Sequence, residues 1–267
     1  MKKRELIELN PFLNVERWNV YVQNRYMCGI VGIYGEIDKS LLLKMLSKLK
    51  HRGPDGCGIF IDDNIALGHT RLSIIDLVGG KQPIFNENKD GCIIGNGEIY
   101  NHIILRKNLS NHVFTTKSDT EIALHLYEEY GPEFVTHLDG MFAIAIYNQG
   151  KLYLARDYIG IKPLYYGWKD STFYFASEIK ALVDILDEIH EFPPGYYLEF
   201  QTSERGKKFK RFYQLPAYEL PESFALKEAT ELLKKTFTRS VIKRLMSEVP
   251  LGCFLSGGLD SSLVTLI

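Results

Sequence analysis

A cysteine directly in front of a short apolar run is the feature that most constrains this chain. Cys28 is followed by Gly29-Ile30-Val31-Gly32-Ile33, and a run of this length and composition predicts a buried β-strand over 28–35. The cysteine thus lies at a strand end, where its thiol can act as a nucleophile. Its chemistry depends on whether Cys28 becomes the first residue of the mature protein, since 27 residues precede it.

The composition is that of an ordinary globular protein and excludes several classes of function. Of 267 residues, 45% are hydrophobic and 24% are charged, and a net charge of −1 offers no electrostatic surface for nucleic acid or a membrane. The four cysteines show no C-x-x-C or other metal-ligand spacing. We therefore expect free thiols, a cytoplasmic location and no metal site. The first 27 residues lack the apolar segment of a secretory signal, and no run is long enough to span a membrane.

Local patterns up to residue 200 predict many strands and few helices. Runs 141–147 and 151–156 alternate in hydrophobicity around Asn148-Gln149-Gly150, which predicts a hairpin, and 164–176 repeats this pattern. The run 72–75 is also β-prone. Together these patterns indicate an α+β domain with a large antiparallel core.

Two helices are predicted within the same region. One runs from Ser40 to Lys50, with Ser40 as its cap. The other begins at Ser118-Asp119-Thr120-Glu121, which has the form of a capping box, and extends to about Tyr130. Residues 201–223 then break the pattern, because they are polar and basic with two prolines, and they are interpreted as a linker.

Several polar residues stand inside otherwise apolar surroundings, and their chemistry is complementary. Arginine pairs bidentately with an α-carboxylate, and two carboxylates can hold an α-ammonium. An asparagine side chain and a glycine N–H can stabilise an oxyanion. An unblocked N-terminal cysteine has its own base in an α-amine, whose pKa is about 7.7–8.0. The set matches what cleavage of a small amino-acid amide requires. Its members are Cys28, Arg71, Asn96, Gly97, Glu98 and Asp119.

Short motifs along the chain stand in the order known from one family. The chain resembles the class II glutamine amidotransferase domain of the N-terminal nucleophile hydrolases, and within that group the glutamine-hydrolysing asparagine synthetases. The resemblance runs from Met27 to the last residue and implies a four-layer αββα sandwich. The motifs are Met-Cys-Gly-Ile at 27–30, His-Arg-Gly-Pro-Asp-Gly at 51–56, Thr-Arg-Leu-Ser-Ile at 70–74, Asn-Gly-Glu-Ile-Tyr-Asn-His at 96–102, Ser-Asp-Thr-Glu at 118–121, Leu-Asp-Gly-Met-Phe-Ala at 138–143, Ala-Arg-Asp at 155–157, Gly-Ile-Lys-Pro-Leu-Tyr at 160–165 and Ala-Ser-Glu-Ile-Lys-Ala-Leu at 176–182.

The resemblance implies that Cys28 attacks the side-chain amide of glutamine, with Asn96 and Gly97 as the oxyanion hole. The products would be glutamate and ammonia, and no cofactor would be needed for this step. Cys28 alone could also be a buried structural thiol, and Asn96-Gly97 a plain turn.

The same resemblance implies a pocket for the glutamine backbone. Arg71 would bind the carboxylate, Glu98 and Asp119 would hold the amine, and the backbone of Ile74 and Ile75 would line the pocket. Two structural alternatives remain. Arg71 could serve only as a salt-bridge partner, and Asp119 only as a helix cap.

A glycine-rich loop near the end of the sequence resembles the pyrophosphate-binding loop of the ATP pyrophosphatase fold. It follows the apolar run 249–255, and its glycines would let the backbone approach phosphate at a helix N-terminus. It is not a Walker A loop, since no Lys-Ser/Thr pair follows the glycines. In the family, ATP with Mg²⁺ activates aspartate here, and ammonia then displaces AMP to give asparagine. The implied ATP-binding residues are Leu255, Ser256, Gly257, Gly258, Asp260, Ser261 and Ser262.

Four segments are therefore expected along the chain. They are a loosely ordered extension at 1–27, a glutaminase domain at 28–200, the linker at 201–223 and a truncated α/β ATP-binding domain at 224–267. Because so little of the last domain is present, we expect that this chain alone cannot make asparagine. The expected small-molecule partners are glutamine, aspartate and ATP, and the oligomeric state, a homodimer included, is left open.

Alternatives remain for the extension and for the function. Translation could begin at Met27, a propeptide could be removed, or the extension could be retained and leave Cys28 without its base. The acceptor of ammonia could be a carboxylate other than aspartate. The chain could also be an inactive fragment.

Overall fold

The computed structural model describes residues 6–7, 27–200, 209–217 and 225–267. The chain divides into two compact units, and each is considered by itself. The larger comprises Asn24–Leu215, and the smaller comprises Met1–Gln23 together with Pro216–Ile267. Apart from residues 6–7 and Met27, the extension expected to be loosely ordered lies outside the described residues.

The described residues form fourteen strands and five α-helices. In chain order the strands are β1 Leu6–Ile7, β2 Gly29–Tyr34, β3 Gly56–Asp62, β4 Ile65–Arg71, β5 Ile84–Phe85, β6 Gly91–Ile99, β7 Gly140–Asn148, β8 Lys151–Arg156, β9 Tyr165–Lys169, β10 Thr172–Ala176, β11 His190–Glu191, β12 Tyr196–Phe200, β13 Phe209–Arg211 and β14 Cys253–Phe254. The helices are α1 Lys39–Ser47, α2 His102–Asn108, α3 Glu121–Tyr130, α4 Leu226–Ile242 and α5 Leu259–Leu266, and short 3₁₀ segments occur at Gly131–His137, Ile179–Ala181 and Lys243–Leu245.

Two six-stranded antiparallel sheets form the centre of the larger unit. One has the order β11-β9-β10-β2-β4-β3, and the other has the order β13-β12-β8-β7-β6-β5. Strand β7 shows why the sheets stack. Its Ala143 and Ala145 face the core between the sheets, whereas Ile144 and Ile146 pack on the other side against α3. This alternation buries both faces of the strand.

A helix layer covers the outer face of each sheet. Leu42, Met45 and Leu46 of α1 pack against β2 and β4, while Ile122 and Leu126 of α3 pack against the second sheet. The order of layers is therefore helix, sheet, sheet, helix, and the expected α+β sandwich is confirmed. Within the described part of the chain, no helix is long and apolar enough to cross a membrane.

Both predicted hairpins are present. Strands β7 and β8 pair from Asn148 opposite Lys151, and Gln149 and Gly150 have φ values of 50° and 82°. Two positive φ values are the signature of a primed turn, whose twist matches that of the flanking strands. Strands β9 and β10 form the second hairpin around Asp170.

Three local expectations are corrected. Asp38, not Ser40, caps α1, because its side chain accepts a hydrogen bond from the Leu41 N–H at 3.1 Å. The capping box at 118–121 does not form, since the Glu121 carboxylate accepts its hydrogen bonds from Thr115 and Thr116. Residues 72–75 are a loop and not a strand.

The expected linker and the N-terminal extension each contribute a strand to a sheet. Residues 201–208 and 218–224 lie outside the described residues, but β13 falls within the expected linker and pairs with β12. In the smaller unit, β1 of the extension pairs with β14, with Leu6 opposite Phe254. Helix α4 also belongs to the smaller unit, and the structure places none of its side chains in a buried position.

The buried carboxylate of Asp157 fixes the loop after β8, and its loss is expected to be costly. Replacing Asp157 with alanine should lower the free energy of unfolding by roughly 3 kcal/mol or more, because each buried N–H left without a partner costs about 1–3 kcal/mol. Chemical denaturation would measure this change. Asp187 is exposed, so Asp187→Ala is the matched control, and equal midpoints for the two variants would contradict the prediction. The donors to Asp157 are the N–H groups of Phe142, Ile159, Ile161 and Lys162.

Candidate functional site

The predicted pocket residues converge at one end of the two stacked sheets. Cys28 directly precedes β2, and the antiparallel partner β4 ends beside it at Arg71. In the other sheet β6 ends at Ile99. The His69 ring nitrogen Nε2 lies 3.2 Å from the Gly95 carbonyl and joins the two sheets just before this end. Burial lowers the pKa of His69 to about 3, so it joins the sheets as a neutral ring.

The thiol of Cys28 is held against the loop that follows β4. Its Sγ accepts a hydrogen bond from the Leu72 N–H at 3.4 Å and lies 3.5 Å from the Leu72 carbonyl. Burial raises the pKa of the thiol, and the charge of Glu98 adds to this effect. The Leu72 N–H, Lys162 and Arg71 oppose the shift without cancelling it. The thiol is therefore protonated near neutral pH and needs a base to become a nucleophile.

The backbone carbonyl of Cys28 is the meeting point of two further side chains. Arg52 donates from Nε to this oxygen at 2.9 Å and from Nη1 to Glu178 at 2.8 Å. With the Asn96 amide oriented to satisfy its neighbours, its nitrogen donates to the same carbonyl at 3.1 Å and its oxygen accepts from Arg52 at 3.3 Å. Asn96 is thereby fixed beside the thiol, and its second N–H remains a donor for a ligand.

Gly97 occupies a position that only glycine fits. A Cβ atom added there would lie 2.0 Å from the Met141 carbonyl oxygen and 2.6 Å from the Phe142 Cα. Both contacts are with backbone, which cannot move aside. The close pairing of β6 with β7 thus explains why glycine follows Asn96 at the proposed oxyanion hole.

The half-buried Glu98 and the buried Asp119 form a pair of interacting carboxylates. Burial and the charge of Asp119 together raise the pKa of Glu98 to about 8, although Lys162 opposes the shift. Burial also raises the pKa of Asp119 to about 6, against the hydrogen bond that its Oδ2 accepts from the Ile99 N–H at 2.6 Å. Asp119 does not cap α3, whose N-cap is Thr120 without a side-chain hydrogen bond. Two carboxylates in this state are prepared to receive a cation.

Arg71 holds the loop that shapes the pocket. Its guanidinium donates to the carbonyls of Ile75, Asp76 and Leu77 at 3.2, 2.6 and 3.1 Å. These contacts use three of its five N–H donors. They curl residues 72–77 back over the end of β4, which explains why this β-prone run is not a strand. Ile74 and Ile75 thus lie in the loop that approaches Cys28 through Leu72.

Sequence reasoning assigned no role to Lys162 and interpreted the motif of Arg52 as mainly architectural, whereas the structure places both side chains at the site. The Lys162 Nζ lies 3.4 Å from the Met27 Sδ, and burial lowers the pKa of this amine while Glu98 and Cys28 favour its charged form. Its backbone is fixed on both sides, by Asp157 at the N–H and by Arg156 at the carbonyl. Arg52 lies in the family motif at 51–56 and Lys162 in the one at 160–165. A basic residue within such a motif was therefore the signal that could have identified them.

The predicted ATP-binding residues belong to the smaller unit: residues 255–258 form a loop between β14 and α5, and Asp260, Ser261 and Ser262 lie at the start of α5. Gly257 has a φ of 81°, and the hydroxyls of Ser256 and Ser261 lie 3.0 Å apart. The Ser261 and Ser262 hydroxyls both donate to the Gly258 carbonyl. The first turn of α5 carries Asp260. Such a loop presents backbone N–H groups toward solvent at a helix N-terminus.

Comparison with known sequences gives two matches along the chain. The profile described as "Glutamine amidotransferase domain" matches residues 27–214, and the profile described as "Asparagine synthase" matches residues 232–267. Asparagine synthetase [glutamine-hydrolyzing] 2 of Arabidopsis thaliana is 45% identical over 251 residues, covering 90% of this chain and 42% of the relative. A probable asparagine synthetase [glutamine-hydrolyzing] of Dictyostelium discoideum is 43% identical over 257 residues, covering 90% and 45%. The chain thus spans less than half the length of these relatives.

Comparison with solved structures gives the same fold. Glutamine phosphoribosylpyrophosphate amidotransferase from B. subtilis, complexed with ADP and GMP, superposes with a TM-score of 0.59 at 26% sequence identity. The superposition covers 69% of this chain and 49% of that structure.

Proposed function

This chain belongs to the glutamine amidotransferase domain family, and from that premise we propose that its larger unit hydrolyses glutamine to glutamate and ammonia. The observation that carries the proposal is the contact of the Asn96 amide with the Cys28 carbonyl, which brings Asn96-Gly97 to the nucleophile, with the charge of Glu98 acting on the same thiol. A nucleophile, two oxyanion donors and a cation-binding carboxylate pair match the parts of a glutamine molecule. The proposed domain runs over 28–200, with β13 as an added edge strand.

The proposed reaction uses residues already in position. The α-amine of a chain that begins at Cys28 takes the thiol proton, and Sγ forms a bond to the side-chain amide carbon of glutamine. Asn96 and Gly97 donate to the oxygen as it becomes negative. The amide nitrogen then leaves as ammonia with the transferred proton. Water attacks the thioester and releases glutamate, which returns the thiol.

The rest of the pocket recognises the amino-acid end of glutamine. The unused donors of Arg71 suit its α-carboxylate, and Glu98 with Asp119 suit its α-ammonium. The backbone at Ile74 and Ile75 lines the path between them. Arg52 is a positioning residue, since it acts through the Cys28 carbonyl and the Asn96 amide.

The raised carboxylate pKa values predict that glutamine binds better as pH increases. Below about pH 8 the empty pair holds a proton, since the pKa of Glu98 is about 8 and that of Asp119 about 6. A bound ammonium favours the charged form, so binding releases a proton. We expect KM to fall by up to about tenfold per pH unit between pH 6 and 8, and then to level off. Steady-state kinetics across this range measures the slope.

Glu98→Gln is the matched variant for this pH dependence. It keeps the shape of the side chain but cannot bind the proton, so the slope should flatten while KM increases overall. A KM that is constant from pH 6 to 8 in the unaltered protein would contradict the prediction.

We further propose that the ammonia serves an ATP-dependent synthesis in the complete protein. The match of 232–267 to the asparagine synthase profile and the names of the relatives support aspartate as the acceptor over another carboxylate. ATP phosphates would bind the N–H groups at the start of α5, a role that suits Gly257, Gly258 and Ser256, with Leu255, Ser261 and Ser262 flanking them. Asp260 would hold the Mg²⁺ ion that accompanies ATP. The 224–267 segment is accordingly proposed to be the beginning of this domain, joined by the 201–223 linker.

Glutamate release tests the proposed hydrolysis directly. A chain beginning at Cys28 should form glutamate from glutamine in the absence of ATP and aspartate, and Cys28→Ala should form none. Equal glutamate release by the two proteins would overturn the proposal.

A further inference from the structure

Four side chains that could coordinate a metal meet outside the glutamine pocket. Glu87 follows β5, His112 lies in the loop after α2, and His125 and Glu128 stand one turn apart on α3. One coordinating atom from each lies within 4.8 Å of all the others. Among the residues that the structure describes, no other group of histidine, cysteine and carboxylate side chains has its potential ligand atoms this close together.

The distances within the group match a tetrahedron around a small ion. His112 Nδ1 lies 2.9 Å from Glu87 Oε1 and 3.7 Å from Glu128 Oε2. His125 Nδ1 lies 3.0 Å from Glu128 Oε2 and 3.4 Å from Glu87 Oε2. Ligands about 2.0–2.1 Å from a tetrahedral zinc ion stand about 3.3 Å apart, in the middle of this range. The two rings are close enough to share an ion, with centroids 4.5 Å apart.

Each histidine also has a carboxylate on its other ring nitrogen. His112 Nε2 lies 3.1 Å from Glu129, and His125 Nε2 lies 3.7 Å from Glu121. The His112–Glu129 contact is a hydrogen bond, and such a carboxylate–histidine pair is the usual outer support of a metal-bound imidazole, because it fixes the ring and increases its basicity. The His125–Glu121 distance is too long for a hydrogen bond, and this contact contributes only charge. The Nδ1 atoms of both rings face Glu87 and Glu128.

Burial supplies an independent observation. The His125 side chain is fully buried, and the Glu87 Oε2 atom, also buried, has no hydrogen-bond partner among the described residues. A buried carboxylate oxygen without a hydrogen bond is costly unless a positive charge lies beside it, and a bound metal ion would supply that charge.

We propose that Glu87, His112, His125 and Glu128 bind one divalent transition-metal ion of the zinc class. Two imidazoles and two carboxylates in tetrahedral spacing suit zinc, whereas magnesium and calcium prefer an all-oxygen shell of six or more ligands. The sequence-based expectation of no metal site was drawn from cysteine spacing. It did not consider ligands separated by 25 and 13 residues, as His112 is from Glu87 and from His125.

The ion would be structural and would support the glutamine pocket from behind. It would tie the loop 109–117 to α3, which begins two residues after Asp119. Glu121 extends this support, since its carboxylate faces His125 and also accepts hydrogen bonds from Thr115 and Thr116. Metal binding would thus stabilise the loop that leads into the Asp119 side of the pocket.

Metal analysis of the purified full chain tests the proposal. After loading with zinc and dialysis, we expect one zinc per chain by mass spectrometry, and a higher unfolding temperature than in chelator-treated protein. Cobalt(II) in place of zinc should show the visible absorption of a tetrahedral site without a thiolate charge-transfer band. That spectrum separates this site from adventitious binding by the free cysteines.

Variants assign the ion to these residues. His112→Gln and Glu87→Gln should each weaken zinc binding by more than about tenfold, a loss at least as large as that of an outer-shell partner. His190→Gln removes an exposed histidine elsewhere and should change nothing. The two substitutions lie in different segments of the chain. If one variant folds poorly, the other still reports whether the cluster binds the metal. The proposal would be overturned if the unaltered chain failed to retain zinc, or if both variants retained as much zinc as the unaltered chain. The cluster would then be an ion-pair network only.

Discussion

A chain that begins at Cys28 is expected to hydrolyse glutamine about 10²–10⁴ times faster than the same chain with residues 1–27 retained. The reason is the base. Burial keeps the Cys28 thiol protonated near neutral pH, and an α-amine with a pKa of about 7.7–8.0 can accept its proton. When Cys28 follows another residue, its nitrogen is an amide, which is not basic. Glutamate release by the two proteins, with intact mass to confirm each N-terminus, measures the ratio.

A second form of the chain separates chemistry from steric hindrance. Keeping Met27 alone acylates the Cys28 nitrogen without the bulk of the longer extension, and the Met27 N–H already donates to the Arg52 carbonyl at 2.9 Å. We expect this form to be as inactive as the full-length chain. If it hydrolysed glutamine as fast as the chain starting at Cys28, the α-amine could not be the base, and Lys162 would become the candidate.

The sequence predicted what is determined locally. The hairpin of β7 and β8 was predicted because turn-forming residues, Gln149-Gly150, lie directly between two runs of alternating hydrophobicity. The four-layer order of helices and sheets was expected because the motifs of this chain resemble those of a known family, and the structure confirms the four layers. The cap of α1 was misplaced by two residues, since Asp38 and Ser40 are equally good caps and only the geometry distinguishes them.

Features that depend on tertiary contacts could not be predicted in this way. Strand β13 lies in a polar, basic run, and it becomes a strand because the edge of β12 pairs with it. Residues 72–75 are β-prone, but Arg71 binds the carbonyls of Ile75, Asp76 and Leu77 and holds the segment as a loop. Arg52 and Lys162 reach Cys28 from segments more than twenty residues away in sequence. The roles of the pocket residues themselves remain predictions that the geometry supports.

Asn96 is the residue whose loss should reduce turnover most while leaving glutamine binding intact. Asn96→Ala is expected to lower kcat by about 10²–10³ with little change in KM, because the side chain contacts the oxygen of the substrate most strongly when that oxygen is negative. Steady-state kinetics of the chain beginning at Cys28 measures both constants. A change confined to KM would instead place Asn96 among the groups that bind the ground state.

Two further variants distinguish oxyanion stabilisation from a structural role. Asn101→Ala removes hydrogen bonds to Asp139 and His137 outside the pocket, and it should leave kcat unchanged. Asn96→Asp keeps the shape and the contact with Arg52 but replaces the donor with a negative charge. If Asn96 acted only by accepting the hydrogen bond from Arg52, this isosteric variant would retain more activity than Asn96→Ala. Because the new charge would repel the developing oxyanion, we expect it to retain less.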